Sequence, residues 1–120
     1  SSAASDVYKR QELMRKLLSL RGNICIYQGE ELGLHETSVD YDDIQDPFGR
    51  AFWPEFKGRD GCRTPMPWEK NQKNLGFTRS TPWLKANENY KNYAVDVQEN
   101  DPNSMLNLTR KLIMERKIAT

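Results

Sequence analysis

Ile24-Cys25-Ile26-Tyr27, set between Gly22 and Gly29, constrains the fold of this chain more than any other stretch. The run is apolar without alternation, short, and bounded by glycines. It therefore predicts a β-strand covered on both faces, as in a parallel α/β sheet. A buried helical segment is the alternative, and four residues are too few to favour it. A strand of this type does not stand alone, because its backbone groups need partners on both sides and its two faces need cover. The 120 residues offer no second convincing strand of the same kind. The expectation is a slice of a larger α/β protein.

The flanks support that expectation. From Val7 to Arg21, Leu13, Leu17 and Leu20 recur at helical spacing, with Met14 and Leu18 broadening the stripe. Gly22 follows where a helix C-terminus favours a residue able to take positive φ. At the far end Asp101 is a candidate cap, with Pro102 at the first helical position. Met105, Leu108 and Leu112 then share one face, with Leu106 and Ile113 beside them, which predicts a second amphipathic helix over 103–117.

Between strand and second helix lie about seventy residues with no sustained period. Compact domains seldom hold structureless connections beyond about 12–15 residues unless these serve function or are disordered. Disorder wants few aromatic residues, whereas this stretch holds Phe48, Phe52, Trp53, Phe56, Trp68 and several more. A folded excursion is expected. Composition narrows the partners: a net charge of +1 predicts attraction to neither nucleic acid nor membrane, and no apolar run approaches transmembrane length. Cys25 and Cys62 stand far apart, outside any metal-ligand spacing, and are expected as free thiols in a reducing compartment. The opening SSAASDVYKRQ resembles the translation of a sequencing adapter. Residues 1–11 are accordingly expected to be an extraneous lead, and both ends to be truncations.

The densest hydrogen-bonding chemistry lies in GRDGCRTPMPW, residues 58–68. Arginine presents five donors in a fixed fork and stays charged at every working pH. Asp60 could hold one guanidinium and leave the other free for a ligand oxygen. Pro65 and Pro67 push the residues before them toward extended conformations, giving a stiff ledge that presents a cation. An arginine–aspartate pair that merely pins the excursion is an equally good reading on physical grounds. Residues 30–46 carry seven acids and no lysine or arginine, which opposes nucleic acid. Asp40, Asp42, Asp43 and Asp46 are oxygen ligands in number, but the spacing is not that of an EF-hand loop. A solvated acidic mouth is the better account. His35 is the single histidine, with no partners for a zinc site.

SLRGNICIYQGEELGL (19–34), QDPFGRAFWPEFKGRDGCRTPMPW (45–68) and PNSMLNLTRKLIMERK (102–117) together carry a resemblance. They are similar to the last third of the catalytic domain of bacterial α-glucosidases of glycoside hydrolase family 13, near the oligo-1,6-glucosidases. The resemblance implies an α/β fold, the C-terminal slice of a (β/α)8 TIM barrel. Residues 12–21 would end helix seven, 23–28 form strand eight, 29–100 the excursion after it and 103–117 helix eight. Residues 12–120 would thus be a partial catalytic domain.

By the same resemblance Arg63 matches the arginine that donates to hydroxyls of the non-reducing glucose. Arg59 and Asp60 match the pair that orients it, and Asp40 in the acidic mouth could face the leaving sugar. Glu31 looks structural. Retaining glycosidases need two carboxylates about 5–5.5 Å apart. In this family the nucleophile, the acid/base and a third stabilising acid lie after strands four, five and seven, upstream of this chain, so none is expected within it. The implied parent is an exo-acting, retaining α-glucosidase acting on an α-glucoside or oligosaccharide, cytoplasmic, without cofactor or metal, partnered by the rest of its barrel. The isolated piece is expected to be inactive. Trehalose synthase or sucrose hydrolase of the same superfamily, a non-catalytic relative and an autonomous interaction module are the alternatives. The intact Arg59-Asp60-Arg63 loop opposes the non-catalytic relative.

Overall fold

The structure is a computed structural model and describes residues 2–119. Its α-helices are α1 (Ser2–Ser19), α2 (Pro47–Ala51), α3 (Val95–Glu99) and α4 (Met105–Ala119), joined by extended segments and short 3-10 turns. The chain divides into two compact units. One is built from the chain up to Leu34 and from Val95 onward, the other from His35–Ala94.

The first unit is a helical pair with the irregular segment 23–28 packed against it through Ile24 and Ile26. Met14, Leu18 and Met105 form its buried centre, and Leu17, Ile24, Ile26, Leu108, Leu112 and Ile113 pack around them. Burial falls on the Met14–Leu18 edge of the expected α1 stripe. Leu13 and Leu20 are 65% and 57% exposed, so α1 turns only part of its apolar surface inward here. Arg116 of α4 closes the end of α1 by donating to the carbonyls of Leu18, Leu20 and Gly22, at 2.8, 2.6 and 2.6 Å. A cation at a helix C-terminus meets both orphan carbonyls and the negative end of the helix dipole.

The expected strand over 23–28 is not formed as a strand: no β-structure occurs among the described residues. The segment nonetheless alternates, with Ile24 and Ile26 packed against the helices and Cys25 and Tyr27 exposed. The physical reason is the one that made the run informative. A ladder needs a neighbouring strand, and the described residues contribute none, so one face alone is covered. Gly29 and Gly33, both at positive φ, then turn the chain through Glu30–Leu32.

The start of α4 corrects the expected cap. Ser104, rather than Asp101, occupies the capping position, its Oγ accepting from the N–H of Asn107 at 3.2 Å. Asp101 and Pro102 form the preceding turn, with the N–H of Asn103 donating to Asp101 Oδ1 at 2.9 Å. Gln98 of α3 ties the pieces together, its Nε2 donating to the carbonyl of Leu32 and its Oε1 accepting from the N–H of Leu106, each at 2.9 Å.

The second unit is the excursion, and it is folded. Ile44, Leu75 and Ala94 are fully buried, with Leu84 and Tyr90 nearly so. Regular structure is scarce because Gly, Pro and short polar residues recur too often for either period to establish itself. Cys25 and Cys62 are both exposed and unbridged. No helix of the described residues is long and apolar enough to cross a membrane.

Candidate functional site

The ledge at 58–68 is held by two aspartates that exchange backbone donors across the excursion. Asp60 Oδ2 accepts from the N–H groups of Gln45 and Asp46, at 2.6 and 3.0 Å. In return, Asp46 Oδ2 accepts from the N–H of Arg59 and Asp46 Oδ1 from the N–H of Phe48, each at 3.0 Å. Asp46 is also the cap of α2, with Pro47 behind it. Hydrogen bonds to an ionised carboxylate are short and roughly twice as strong as neutral ones, so this reciprocal clamp fixes 45–48 against 59–60. It also sets the charge of Asp46. The N–H of Arg59, followed by those of Phe48 and Gly49 and by the Arg63 charge, holds that carboxyl below its usual range, against an opposing effect of burial.

Glycine makes the clamp possible. Gly58, at φ +80°, passes so close to Asp46 that an added Cβ would sit 2.8 Å from Oδ2. Gly61 presses against the backbone at Thr37 and accepts the N–H of Thr37 at 2.9 Å. Thr37 is itself a junction. Its Oγ1 accepts from Asn87 Nδ2 at 3.0 Å and donates to the Tyr90 hydroxyl at 2.8 Å, while that hydroxyl reaches the carbonyl of His35.

The structure separates the expected site residues into three situations. Asp60 is 1% exposed, and its carboxylate is committed to Gln45 and Asp46 rather than to a guanidinium; Oδ1 is buried without a partner. The local reason is distance along the chain. Two backbone donors already converge on Asp60, whereas Arg59 and Arg63 flank the 3-10 turn Asp60–Cys62 and run outward. Both arginine side chains are exposed, and neither makes a hydrogen bond or ion pair among the described residues. Asp40 lies elsewhere in the same unit, among the residues lining a cleft of about 240 Å³ formed by 37–40, 84–88, Asp43 and Thr64. Arg59, Asp60 and Arg63 do not line that cleft.

Sequence reasoning missed Asp46 as half of the clamp. The signal was available, because an aspartate before a proline is a helix-capping and turn signature. It also missed Asn87 and Lys85, which line the cleft from a segment with no motif to single them out. No cluster of three or more His, Cys, Asp or Glu side chains among the described residues could hold a metal ion.

The chain matches the family model described as alpha amylase, catalytic domain, over residues 2–120. It is 55% identical over 101 residues to a probable α-glucosidase of Rhizobium meliloti, covering 84% of this chain and 18% of that protein. To the probable oligo-1,6-glucosidase 2 of Bacillus subtilis it is 40% identical over 116 residues, covering 82% of this chain and 20% of that protein. Among solved structures it superposes on the α-glucosyl transfer enzyme XgtA with a TM-score of 0.83 at 46% identity, covering 94% of this chain and 21% of that one. The chain thus spans about a fifth of the length of these relatives.

Proposed function

Because the chain belongs to the α-amylase catalytic-domain family, we propose that it is the pocket-wall segment of a retaining, exo-acting α-glucosidase. In this reading the run at 23–28 is the last strand of a (β/α)8 barrel, and His35–Ala94 stands at the C-terminal face where such barrels keep their active sites. The observation that carries the reading is Arg63: an exposed side chain that makes no hydrogen bond or ion pair among the described residues and acts on Asp46 only through its charge, mounted on backbone that two carboxylates clamp. A charged five-donor group in that condition suits the hydroxyls of a non-reducing glucose. Arg59 stands beside it and Asp60 fixes the turn that carries both; Asp40 is assigned to the leaving sugar. No cofactor is required, and the reacting carboxylates would come from the remainder of the enzyme, so the 120 residues alone would not hydrolyse a glucoside.

The test is kinetic and uses the full-length enzyme that contains this chain. Arg63→Ala is expected to lower kcat/KM toward an α-glucoside by on the order of 2–4 kcal/mol of transition-state stabilisation, since a charged donor at the reacting sugar is lost. Unchanged kinetics would overturn the assignment. A second reading, glucosyl transfer rather than hydrolysis, is supported by the solved transfer enzyme that the chain resembles. Product analysis at high sugar concentration separates the two: free glucose for hydrolysis, new oligosaccharides for transfer.

A further inference from the structure

Arg63 is bracketed in the chain by two residues that bond the same neighbour. The carbonyl of Gly61 accepts the N–H of Thr37 at 2.9 Å, and Thr64 Oγ1 lies 3.3 Å from Thr37 Oγ1. Thr37 therefore grips the ledge on both sides of Arg63. The Asp46–Asp60 clamp engages the ledge only at residues 59 and 60.

The hydroxyl inventory fixes the direction of every bond at Thr37. A threonine hydroxyl has one proton to donate and two lone pairs to accept with, and a phenol likewise donates once. The Tyr90 hydroxyl donates to the carbonyl of His35, so toward Thr37 it only accepts. The 2.8 Å bond between them runs from Thr37 Oγ1 to Tyr90. Asn87 Nδ2 takes one lone pair of Thr37 Oγ1, donating at 3.0 Å. The lone pair that remains faces Thr64, whose hydroxyl is thereby the donor. Thr37 has no capacity to spare.

Burial makes this array a rigid mount. Tyr90 and Thr64 are 3% and 7% exposed, and the Tyr90 ring meets His35 edge-on at 5.4 Å. Residues 64–67 are all buried, whereas Arg63 is exposed. With Gly61 and Thr64 both held by Thr37, the backbone between them is set, and with it the root of the Arg63 side chain.

We infer that the Thr37–Tyr90 hydroxyl pair is a positioning device for Arg63, fixing the backbone from which its guanidinium reaches the substrate. Neither hydroxyl need touch the sugar. The inference rests on the α-glucosidase reading and adds to it what keeps the binding cation in register. A misplacement of about 1 Å can lower a rate roughly 100-fold even when its cause lies away from the chemistry. Releasing one of several supports is a smaller perturbation.

The experiment measures kcat/KM toward an α-glucoside for the full-length enzyme carrying Tyr90→Phe or Thr37→Val, each alone and combined with Arg63→Ala, well below every variant's melting temperature. Tyr90→Phe removes one oxygen, and Thr37→Val exchanges a hydroxyl for a methyl, so shape is nearly kept. Each should lower kcat/KM about tenfold when Arg63 is present and less than about twofold in the Arg63→Ala background. Thr37→Ser, which retains the hydroxyl, should recover most of the loss. A role in folding alone would lower the melting temperature and leave the two backgrounds alike. Equal losses in both backgrounds, or wild-type kinetics for both hydroxyl deletions, overturn the inference. Should Arg63→Ala itself leave the kinetics unchanged, the glucose-pocket reading fails and this inference with it. A loss in Arg63→Ala with none in the hydroxyl variants sinks the inference alone.

Discussion

Gly61 has no room for a side chain, since a Cβ there would fall inside contact distance of the Thr37 carbonyl oxygen and of the Glu36 side chain. Gly61→Ala is therefore expected to force the ledge away from 36–37 and to destabilise the enzyme by about 1–3 kcal/mol, read from thermal melting, as overpacking does elsewhere. Asp46 carries a prediction about pH. Its carboxyl is held below the usual range, chiefly by the N–H of Arg59. A depressed carboxylate contributes stability that is fully present above its unfolded pKa and is lost as pH falls through the folded one, so the loss belongs below about pH 4. Hydrogen exchange of the Arg59 amide should accelerate through that window relative to other amides. Asp46→Asn, which keeps an acceptor but not the charge, should flatten the acid dependence. An unaltered profile would contradict the clamp. Of these residues the arginines and Asp60 stood out in the sequence as a ledge, whereas Asp46 reads there as part of a solvated acidic mouth and is in fact buried. Asp60 stood out for a pairing that it does not make, because side-chain identity shows which groups can bond and not which backbone donors arrive first.

At the scale of elements, legibility followed period. α4 was readable from Met105, Leu108 and Leu112, and the structure shifts its start by a single capping choice, from Asp101 to Ser104. α1 was readable as a helix but not as to its inward edge, because Leu13 and Leu20 are exposed and the stripe is wider than the surface it meets here. The excursion's interior was illegible beyond its aromatic content, since its burial is organised by Ile44, Leu75 and Leu84 in non-repeating turns. Leu75 even adopts positive φ while fully buried, which no propensity scale predicts. One long-range contact between elements is open to direct test. Arg116→Met keeps the apolar stem but removes three bonds to the carbonyls ending α1. It should lower stability by about 1.5 kcal/mol, because a charged donor to three carbonyls is lost, of which the bond to Leu18 is partly buried and the other two are exposed. A change within a few tenths would mean that solvent replaces those bonds freely.

At the scale of the whole molecule, under the proposed reading the exposed residues Cys25 and Tyr27 and the exposed leucines of α1 would lie against the rest of a barrel. The same completion is what would turn the Arg63 guanidinium from a surface cation into the lining of a sugar pocket. Coverage of only about a fifth of each relative agrees with that account. The most direct measurement is a structure of the full-length enzyme with glucose bound. The account predicts the Arg63 guanidinium within about 3 Å of a glucose hydroxyl, a hydrogen-bonding distance, with the Asp46–Asp60 clamp intact behind it. A guanidinium directed away from the bound glucose, with the ledge otherwise folded as it is here, would contradict it.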